Sequence, residues 1–417
     1  MENANHTFQW ACGEASRCLF CIDAPCTKGC PTHIDIPRFI RLLRWKDIRG
    51  AKQMIKAENC FGAVCGYLCP SEKLCEKDCL RARIDSPIEI AALQRFACNN
   101  ADYEPAFNAK SRTGKKVAVI GAGPAGITCA MQLTAFGHEV EIFEREKYLA
   151  GTISKEIPHF KIPPEVVDRE LGELGTERIK VRVGIEVKPE LLENETGKRF
   201  DAVFLGVGLS QSHKSRLQKK GVKNVYDASM FLNSVKSGSI GPIKGICVII
   251  GGGDTAIDCA RTALRLGAKR SVIAYRRSRN EMPAAEAGFI QAAKEGVEFL
   301  WQLSPVCTIG QKEVAEIEFV RTELMRSRQG GRRAFKRVSA SKFRFPADIV
   351  VLALGKGRDA EFTSILNDQR VNAETLQIEN TKYFVGGDLI NAGETVVEAV
   401  ADGKKAAISI DRYLNSM

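Results

Sequence analysis

The sequence contains one structural pattern twice. Each copy runs from a short apolar segment through a glycine-rich turn into a helical pattern and a second apolar segment, at residues 117–144 and 247–277. Two further apolar runs, 202–208 and 348–355, have the length and composition of strands buried on both faces. Short buried strands that alternate with helices form parallel sheets. The repeat therefore predicts an α/β chain with two Rossmann-like nucleotide-binding domains.

The first copy has the pattern of a dinucleotide site. Its turn consists of Gly121, Ala122, Gly123, Pro124, Ala125 and Gly126, and Glu144 ends the next strand 18 residues after the last glycine. Such glycines let a pyrophosphate approach a helix N-terminus, and the carboxylate can accept hydrogen bonds from ribose hydroxyls. The alternative is a glycine-rich turn without a ligand.

The second copy differs at the end of its second strand. Its turn consists of Gly251, Gly252, Gly253, Asp254, Thr255 and Ala256, and the strand that follows ends in Tyr275, Arg276 and Arg277 instead of an acid. A carboxylate would repel a 2'-phosphate, whereas two guanidiniums can bind it, so this copy is predicted to select NADPH. The alternative is that the two arginines are a solvated strand end.

The order of the two copies fits a flavin reductase plan, with FAD at the first and a nicotinamide domain inserted into the FAD domain. Near the C-terminus Gly387 and Asp388 follow a strand and precede a helix from about Thr395, as expected where the chain returns to the flavin, although Gly-Gly-Asp alone is only a turn signal. Arg145, Gly151, Ala353 and Gly355 complete the predicted cofactor-binding set. The predicted domains are 1–112, then 113–210 with 356–417, and 211–355 between them.

Cysteine is concentrated at the N-terminus, where 11 of the 15 lie within the first 98 residues. The opening MENANHTFQW has no apolar signal core, so a reducing cytoplasm and metal-binding thiols are expected. Two runs stand out, Cys18-x2-Cys21-x4-Cys26-x3-Cys30-Pro and Cys65-x3-Cys69-Pro-x4-Cys75-x3-Cys79. This spacing favours two ferredoxin-type [4Fe-4S] sites in a mostly helical domain, with structural zinc as the competing interpretation.

Together these motifs resemble the N-terminal half of dihydropyrimidine dehydrogenase and the separate bacterial subunit that corresponds to it. More distantly, they are similar to the small subunit of NADPH-dependent glutamate synthase. The similar segments are RCLFCIDAPCTKGCPTHID (17–35), LCPSEKLCEKDC (68–79), SPIEIAALQRF (86–96), EIPHFKIP (156–163), YRRSRNEMPA (275–284) and GGDLINAGETVVEAVADGK (386–404). EIP together with LQRF is closer to the dihydropyrimidine dehydrogenase branch.

The resemblance implies that two sets of ligands interleave. A first cysteine group, Cys18, Cys21, Cys26 and Cys79, would hold one cluster. A second cysteine group, Cys30, Cys69 and Cys75, would hold the other together with the unusual ligand Gln94. Spacing alone favours Cys65 over Gln94, whereas the resemblance leaves Cys65, Cys12, Cys60 and Cys98 without iron.

Two positions depart from the family pattern. Ala150 stands where the family has glycine, before Gly151, and Lys161, a predicted cofactor-binding residue, stands where the family has arginine. Alanine would crowd the flavin edge if position 150 requires a positive φ, and lysine keeps the charge of arginine without its fork.

The resemblance implies an electron-input enzyme that moves electrons from NADPH through FAD and two [4Fe-4S] clusters to an FMN-containing partner subunit for pyrimidine reduction. No catalytic side chain is expected, because the cofactors carry the chemistry. The alternatives are a glutamate synthase small subunit, another acceptor, or a zinc-stabilised, NADPH-responsive interaction protein. Residues 265–344 hold 17 Lys and Arg against 8 Glu, but they lack interleaved aromatics, so no nucleic acid is expected. No apolar run is long enough to predict a membrane span.

Overall fold

A computed structural model describes residues 6–103, 111–175, 179–188, 198–209, 211–212, 217, 222–325, 333–358, 362, 370–391, 393 and 395–416. The chain forms two compact units. The first unit is Met1–Ser154, His159–Gln211 and Arg358–Met417, and the second is Lys155–Pro158 and Ser212–Gly357. Part of the basic stretch 265–344, residues 326–332, lies outside the described residues.

The N-terminal part of the first unit is helical, as expected. Its α-helices are Phe8–Ser16, Pro25–Lys28, Ile36–Arg44, Ile48–Glu58, Gly62–Leu68 and Ile90–Asn99, with 3₁₀ turns at Ser71–Lys73 and Leu80–Arg83. Helix Ile36–Arg44 begins at Asp35, whose carboxylate accepts a hydrogen bond from the Arg38 N–H at 3.2 Å. It buries Ile36, Phe39, Ile40 and Leu43 on one face, because these positions repeat at helical spacing.

The rest of the first unit surrounds a five-stranded parallel sheet. The strands lie in the spatial order Tyr383–Val385, Ala202–Leu205, Lys116–Ile120, Glu139–Glu144, Lys180–Val183. The α-helices in this part of the chain are Pro124–Ala135, Thr152–Lys155, Pro164–Gly172, Asp388–Asn391 and Val396–Asn415. Its apolar strands are fully covered, which explains their uninterrupted hydrophobic sequence.

The second unit repeats this architecture. Its parallel sheet has the order Val225–Asp227, Ile349–Leu352, Ile246–Ile250, Arg270–Tyr275, Glu298–Trp301. Helices Ala228–Lys236, Asp254–Arg265 and Glu286–Lys294 and the 3₁₀ turn Arg279–Glu281 accompany it. A three-stranded antiparallel sheet follows, made of Leu303–Ile309, Glu316–Leu324 and Phe335–Pro346. Short strands at Gln211–Ser212 and Lys356–Gly357 lie where the chain passes between the units.

The α/β fold class with a helical N-terminal domain is confirmed, and the strands end earlier than the apolar runs suggested. The run 348–355, for example, is a strand only at Ile349–Leu352. Lys155–Pro158 belongs to the second unit, which the predicted boundaries did not include. The buried Glu156 explains this, because its carboxylate pairs with Lys356 at 2.5 Å and accepts a hydrogen bond from the Ser229 hydroxyl at 3.0 Å within that unit.

Candidate functional site

The glycine turn of the first unit is built for close backbone approach. Gly123 is the N-cap of helix Pro124–Ala135, with Pro124 in the first turn, and nothing lies within 4 Å of the place where a Cβ at 123 would stand. Gly126 is packed so tightly that a Cβ would overlap the Gly121 carbonyl oxygen. The turn thus leaves open space at the helix N-terminus, where a pyrophosphate binds in dinucleotide folds.

Glu144 is held beside this turn. It is buried, and its two carboxylate oxygens accept hydrogen bonds from the Ala122 N–H at 2.7 Å and the Glu146 N–H at 2.8 Å. These bonds fix the carboxylate at the end of its strand, where a ribose lies in this fold. Arg145, the next residue, is exposed.

Ala150 has the positive φ on which the sequence-based concern depended. Its φ is +67°, its side chain is fully buried, and its N–H donates to the Ala122 carbonyl at 2.8 Å. An alanine in this left-handed conformation costs about 1 kcal/mol relative to glycine. Gly151 follows at φ +53° beside Gly123, and Lys161 is half-buried in the turn before helix Pro164–Gly172.

The C-terminal segment returns to the same turn. Gly387 lies against Ala125, and its N–H donates to Asp402 at 2.8 Å. Burial raises the pKa of Asp402, although this N–H opposes the shift. Asp388 begins the short helix Asp388–Asn391 and is half-buried. Asp402 was missed by the sequence analysis, and its place on the inner side of an amphipathic helix was the available signal.

Thr395 is the N-cap of the last helix, Val396–Asn415, and its side chain is engaged in hydrogen bonds within this cap. Its hydroxyl and the Glu398 carboxylate form a reciprocal capping box. The predicted cofactor role of Thr395 therefore concerns the helix N-terminus that it fixes.

The glycine turn of the second unit is arranged in the same way around a different side chain. A Cβ at Gly252 would stand 2.6 Å from the Tyr275 ring, so only glycine fits there. Gly253 is again the N-cap with open space around it, and Thr255 is exposed. The Asp254 carboxylate accepts a hydrogen bond from the Ala285 N–H at 2.9 Å.

Two further predicted residues border this turn. The Ala353 carbonyl lies against Gly251, and its N–H continues the sheet by donating to the Ile250 carbonyl at 2.8 Å. Gly355 is exposed, with φ +90°.

Arg276 and Arg277 lie together at the end of their strand. Their guanidinium carbons lie 5.0 and 5.5 Å from the centroid of the Phe335 ring, and Arg277 Nε donates to the Arg333 carbonyl at 2.7 Å. Arg276 is exposed, whereas Arg277 is half-buried. Phe335 and Arg333 were missed because they come from the distant antiparallel sheet. The pair forms a positively charged edge beside the turn that can bind a phosphate.

The structure brings the N-terminal cysteines together in interacting sets. Burial raises the pKa of Cys26 to about 12, and the neighbouring thiols of Cys79, Cys18 and Cys21 add to the shift. Burial likewise raises the pKa of Cys18, with Cys79 and Cys21 again among its neighbours. These four residues are the first cysteine group, although Cys79 is separated from the others by more than 50 residues in sequence.

The second cysteine group is similarly associated. A hydrogen bond with Cys65, then burial and the charges of Cys65, Cys75 and Cys30, raise the pKa of Cys69. Burial, Glu76 and then Cys30 and Cys26 raise the pKa of Cys75. Cys65 is buried on helix Gly62–Leu68, immediately before Cys69.

Gln94 is buried on helix Ile90–Asn99, beside the start of helix Gly62–Leu68. Its Nε2 donates to the Gly62 carbonyl at 2.7 Å, which turns the nitrogen toward the backbone and offers the amide oxygen as a ligand atom.

The donor set fits iron–sulfur chemistry. All fifteen cysteines are free thiols, and closely grouped buried thiols become thiolates only with a compensating cation. Among the described residues, no three His, Cys, Asp or Glu side chains converge on the position of a single metal ion.

A buried ion pair that the sequence analysis missed ties the cysteine-rich helices to the first sheet domain. Lys56 Nζ lies 2.5 Å from Glu170 Oε1, and both side chains are almost completely buried. Burial lowers the pKa of Lys56, but the charge of Glu170 outweighs it and the pKa is raised. The Glu170 carboxylate also accepts hydrogen bonds from the Ala63 and Val64 N–H groups at 3.0 and 2.6 Å.

This carboxylate therefore fixes the start of the helix that leads to Cys69. The available signal was a charged residue on the apolar face of a helix, at helical spacing from Val166 and Val167.

Family models match both parts of the chain. Residues 2–105 match the model described as dihydropyrimidine dehydrogenase domain II, 4Fe-4S cluster, and residues 115–403 match pyridine nucleotide-disulphide oxidoreductase. The chain therefore belongs to the pyridine nucleotide-disulphide oxidoreductase family and carries an N-terminal iron–sulfur domain of the dihydropyrimidine dehydrogenase type. It is an NAD(P)-dependent FAD oxidoreductase that transfers electrons with the help of iron–sulfur chemistry.

Curated relatives extend over nearly the whole chain. The glutamate synthase [NADPH] small chain of Escherichia coli K12 is 33% identical, covering 96% of this chain and 91% of that protein. The NAD-dependent dihydropyrimidine dehydrogenase subunit PreT of the same organism is 34% identical, covering 96% and 93%. The NADP(+)-dependent formate dehydrogenase subunit beta of Moorella thermoacetica is 33% identical over 94% of this chain and 60% of that protein.

Solved structures support the fold. Mycobacterium tuberculosis FprA in complex with NADPH aligns with a TM-score of 0.58 at 17% identity, covering 73% of this chain and 85% of that chain. Lactococcus lactis thioredoxin reductase aligns with a TM-score of 0.56 at 18% identity, covering 73% and 100%. None of the helices in the described ranges combines the length and apolar character that crossing a membrane requires.

Proposed function

We propose that this chain takes electrons from NADPH and delivers them, through FAD and two [4Fe-4S] clusters, to an FMN-containing partner subunit that reduces pyrimidines. The observation that carries the proposal is the interleaving of the cysteines. Cys26 interacts with Cys18, Cys21 and Cys79, whereas Cys69 interacts with Cys65, Cys75 and Cys30. A flavin that accepts a hydride pair needs carriers that remove electrons singly, and iron–sulfur clusters supply that chemistry when bound.

The protein's own residues orient the cofactors in this proposal. Gly121, Gly123 and Gly126 keep the first turn open for the FAD pyrophosphate, and Glu144 accepts from its ribose. Gly253 leaves similar space in the second turn for the nicotinamide dinucleotide, and Gly252 admits the Tyr275 ring beside it. The remaining predicted cofactor contacts are Pro124, Ala125, Arg145, Gly151, Lys161, Asp254, Thr255, Ala353, Gly355, Gly387, Asp388 and Thr395.

The choice of NADPH over NADH rests on two guanidiniums. Arg276 and Arg277 lie at the strand end where an NAD-selective site would carry an acid, and arginine binds phosphate with charge-assisted hydrogen bonds. The relatives include proteins named for NADPH, NAD and NADP(+), so the family alone leaves the nucleotide open. The local charge therefore supports the proposal.

The proposed ligand set includes Gln94 and excludes Cys65, and three matched variants test it. In Gln94→Ala we expect anaerobic iron analysis to fall from about eight to about four irons per chain, because one cluster loses a ligand, while the FAD absorbance persists. Cys65→Ala should keep all the iron, and Gln94→Glu should keep it with a lower reduction potential, since it adds a negative charge. Full iron in Gln94→Ala combined with loss in Cys65→Ala would reject this set.

The partner is tested by reconstitution. The chain, loaded with FAD and iron–sulfur clusters, is mixed with an FMN-containing dihydropyrimidine dehydrogenase subunit, and NADPH oxidation is followed with uracil or thymine. We expect pyrimidine-dependent turnover, supported by the EIP and LQRF segments. The second candidate is a glutamate synthase small subunit, which the 33% identity to that chain favours. Turnover only with glutamine, 2-oxoglutarate and a glutamate synthase large subunit would replace the first acceptor with the second.

A further inference from the structure

Two exposed and two half-buried large apolar side chains near the N-terminus surround one groove that the proposed redox path does not use. Phe20, Ile22, Leu42 and Trp45, here called the apolar patch, line an open groove of 720 Å³. Ile22 is fully exposed and Trp45 is 68% exposed. A cluster of exposed large apolar side chains around one groove marks a binding surface, whereas single exposed apolar residues do not.

The apolar patch adjoins the first cysteine group. Cys21 itself lines the groove, and Ile22 is its neighbour in the chain. Phe20 lies between Cys18 and Cys21 with φ +51°, a left-handed conformation that is strained for a bulky residue. A protein bound in this groove would therefore be in contact with the loop that carries two proposed ligands.

Three arginines lie at the groove, two of them in its lining and Arg44 beside the Phe20 ring. Arg38, Arg41 and Arg44 are exposed at successive turns of helix Ile36–Arg44, and Arg41 and Arg44 lie 5.1 and 5.6 Å from the Phe20 ring centroid. In the described part of the chain no carboxylate forms an ion pair with any of the three.

The two acids in the groove offset only part of its positive charge, because Lys28, Arg38 and Arg41 all line it. Asp23 pairs with Lys28 at 2.6 Å, and Asp35 caps the helix. The positive charge is thus available to a partner.

We propose that the apolar patch and its three arginines bind an acidic face of the protein that accepts electrons from the first cysteine group. This inference rests on the proposed function and identifies the surface that its partner uses. Tryptophan and arginine are the residues that most often dominate binding energy at protein interfaces, and complementary charge accelerates encounter. The redox balance is simple, since oxidation of one NADPH to NADP⁺ and a proton releases two electrons, and the partner gains both, one at a time.

A second copy of this chain fits the groove less well. A symmetric dimer places the same patch on both sides, so the guanidiniums of two copies would face each other. Their repulsion opposes such a contact, whereas the carboxylates of an acidic partner would neutralise the guanidinium charges.

The test uses the loaded chain and the FMN-containing dihydropyrimidine dehydrogenase subunit. The variants are Trp45→Ala and the double charge reversal Arg38→Glu with Arg44→Glu, neither of which touches a proposed ligand. We expect Trp45→Ala to raise the dissociation constant of the complex by about 10- to 30-fold. The double reversal should slow association by at least about tenfold at low salt and remove its salt dependence. NADPH-driven reduction of the uncharged quinone menadione and iron content should remain unchanged.

Matched controls lie outside the groove. Ile84→Ala removes another apolar side chain, 64% exposed, from the same domain, and Lys405→Glu with Arg412→Glu reverses two charges on the last helix. Both should bind the partner normally. Normal partner binding by the groove variants would overturn the docking inference and leave the proposed function intact. If the unmodified chain reduces menadione but binds no partner subunit, both fail. A loss of self-association in the groove variants, with partner transfer unchanged, would assign the patch to a second copy instead.

Discussion

The two glycine turns occupy equivalent places in their sheets, but the neighbouring strands end in different residues. In the first unit the Gly121 N–H donates to the Phe143 carbonyl at 2.8 Å, and in the second the Gly251 N–H donates to the Ala274 carbonyl at 3.2 Å. The residues that follow, Glu144 and Tyr275, are therefore equivalent. Both units share a five-stranded parallel sheet, so the proposed difference in ligand is expected to depend on side chains such as those at this strand end.

In both units the second residue of the turn lies against the residue that ends the neighbouring strand. Ala122 donates its N–H to the Glu144 carboxylate, whereas Gly252, in the equivalent place, makes room for the Tyr275 ring. The carboxylate of the first unit suits an unphosphorylated ribose, and the guanidiniums of Arg276 and Arg277 suit a 2'-phosphate. If the proposed cofactors bind at these turns, a repeated fold would support two nucleotide specificities with few substitutions.

The position of the third glycine in each turn provides the test with the largest expected effect. We expect Gly126→Ala to destabilise the first unit by about 3 kcal/mol and to weaken FAD binding, because the new Cβ overlaps the Gly121 carbonyl. The second unit already carries Ala256 at this position, so Ala256→Gly should cost only about 1 kcal/mol, from helix propensity. Urea denaturation of both variants, with FAD retention measured by absorbance, makes the comparison.

Equal losses in the two variants would contradict the idea that the first turn is packed more tightly than the second. Unchanged FAD retention in Gly126→Ala would remove that turn from the proposed FAD site.

The strand end provides a smaller test. We expect Arg276→Ala with Arg277→Ala to weaken NADPH binding by about 2 kcal/mol and to leave NADH nearly unchanged, because charge-assisted hydrogen bonds to the 2'-phosphate are lost. The expected loss is moderate because Arg277 Nε already donates to the Arg333 carbonyl. Titration of both nucleotides measures it, with the exposed Arg344→Ala as the control for total charge. Equal weakening of NADPH and NADH would show that the pair has no role in selecting the 2'-phosphate.

Local sequence patterns predicted much of the fold. Apolar runs followed by glycines predicted the strands Lys116–Ile120 and Ile246–Ile250, and the cysteine-rich N-terminus was predicted to be mostly helical. These features depend on residues close in the chain, so a single sequence reveals them. The strand ends were less predictable because apolar residues continue beyond the last hydrogen-bonded pair.

Contacts between distant segments were not predictable in this way. Phe335 stacks with Arg276 from another sheet, and Glu170 reaches Lys56 from a helix more than 100 residues away. Glu156 likewise joins the second unit through Lys356 rather than through its sequence neighbours. No spacing in the sequence indicates which of these residues contact each other.

The sequence by itself determined that this chain has two glycine turns with different strand ends and a cysteine-rich N-terminus, because each of these signals is local. Only the tertiary structure decided which cysteines interact, that Ala150 has a positive φ, and that Trp45 lies in an open groove beside Cys21. The physical reason is that electrostatic coupling, backbone strain and exposure depend on what surrounds a residue in space. A linear pattern records the residue but not its surroundings.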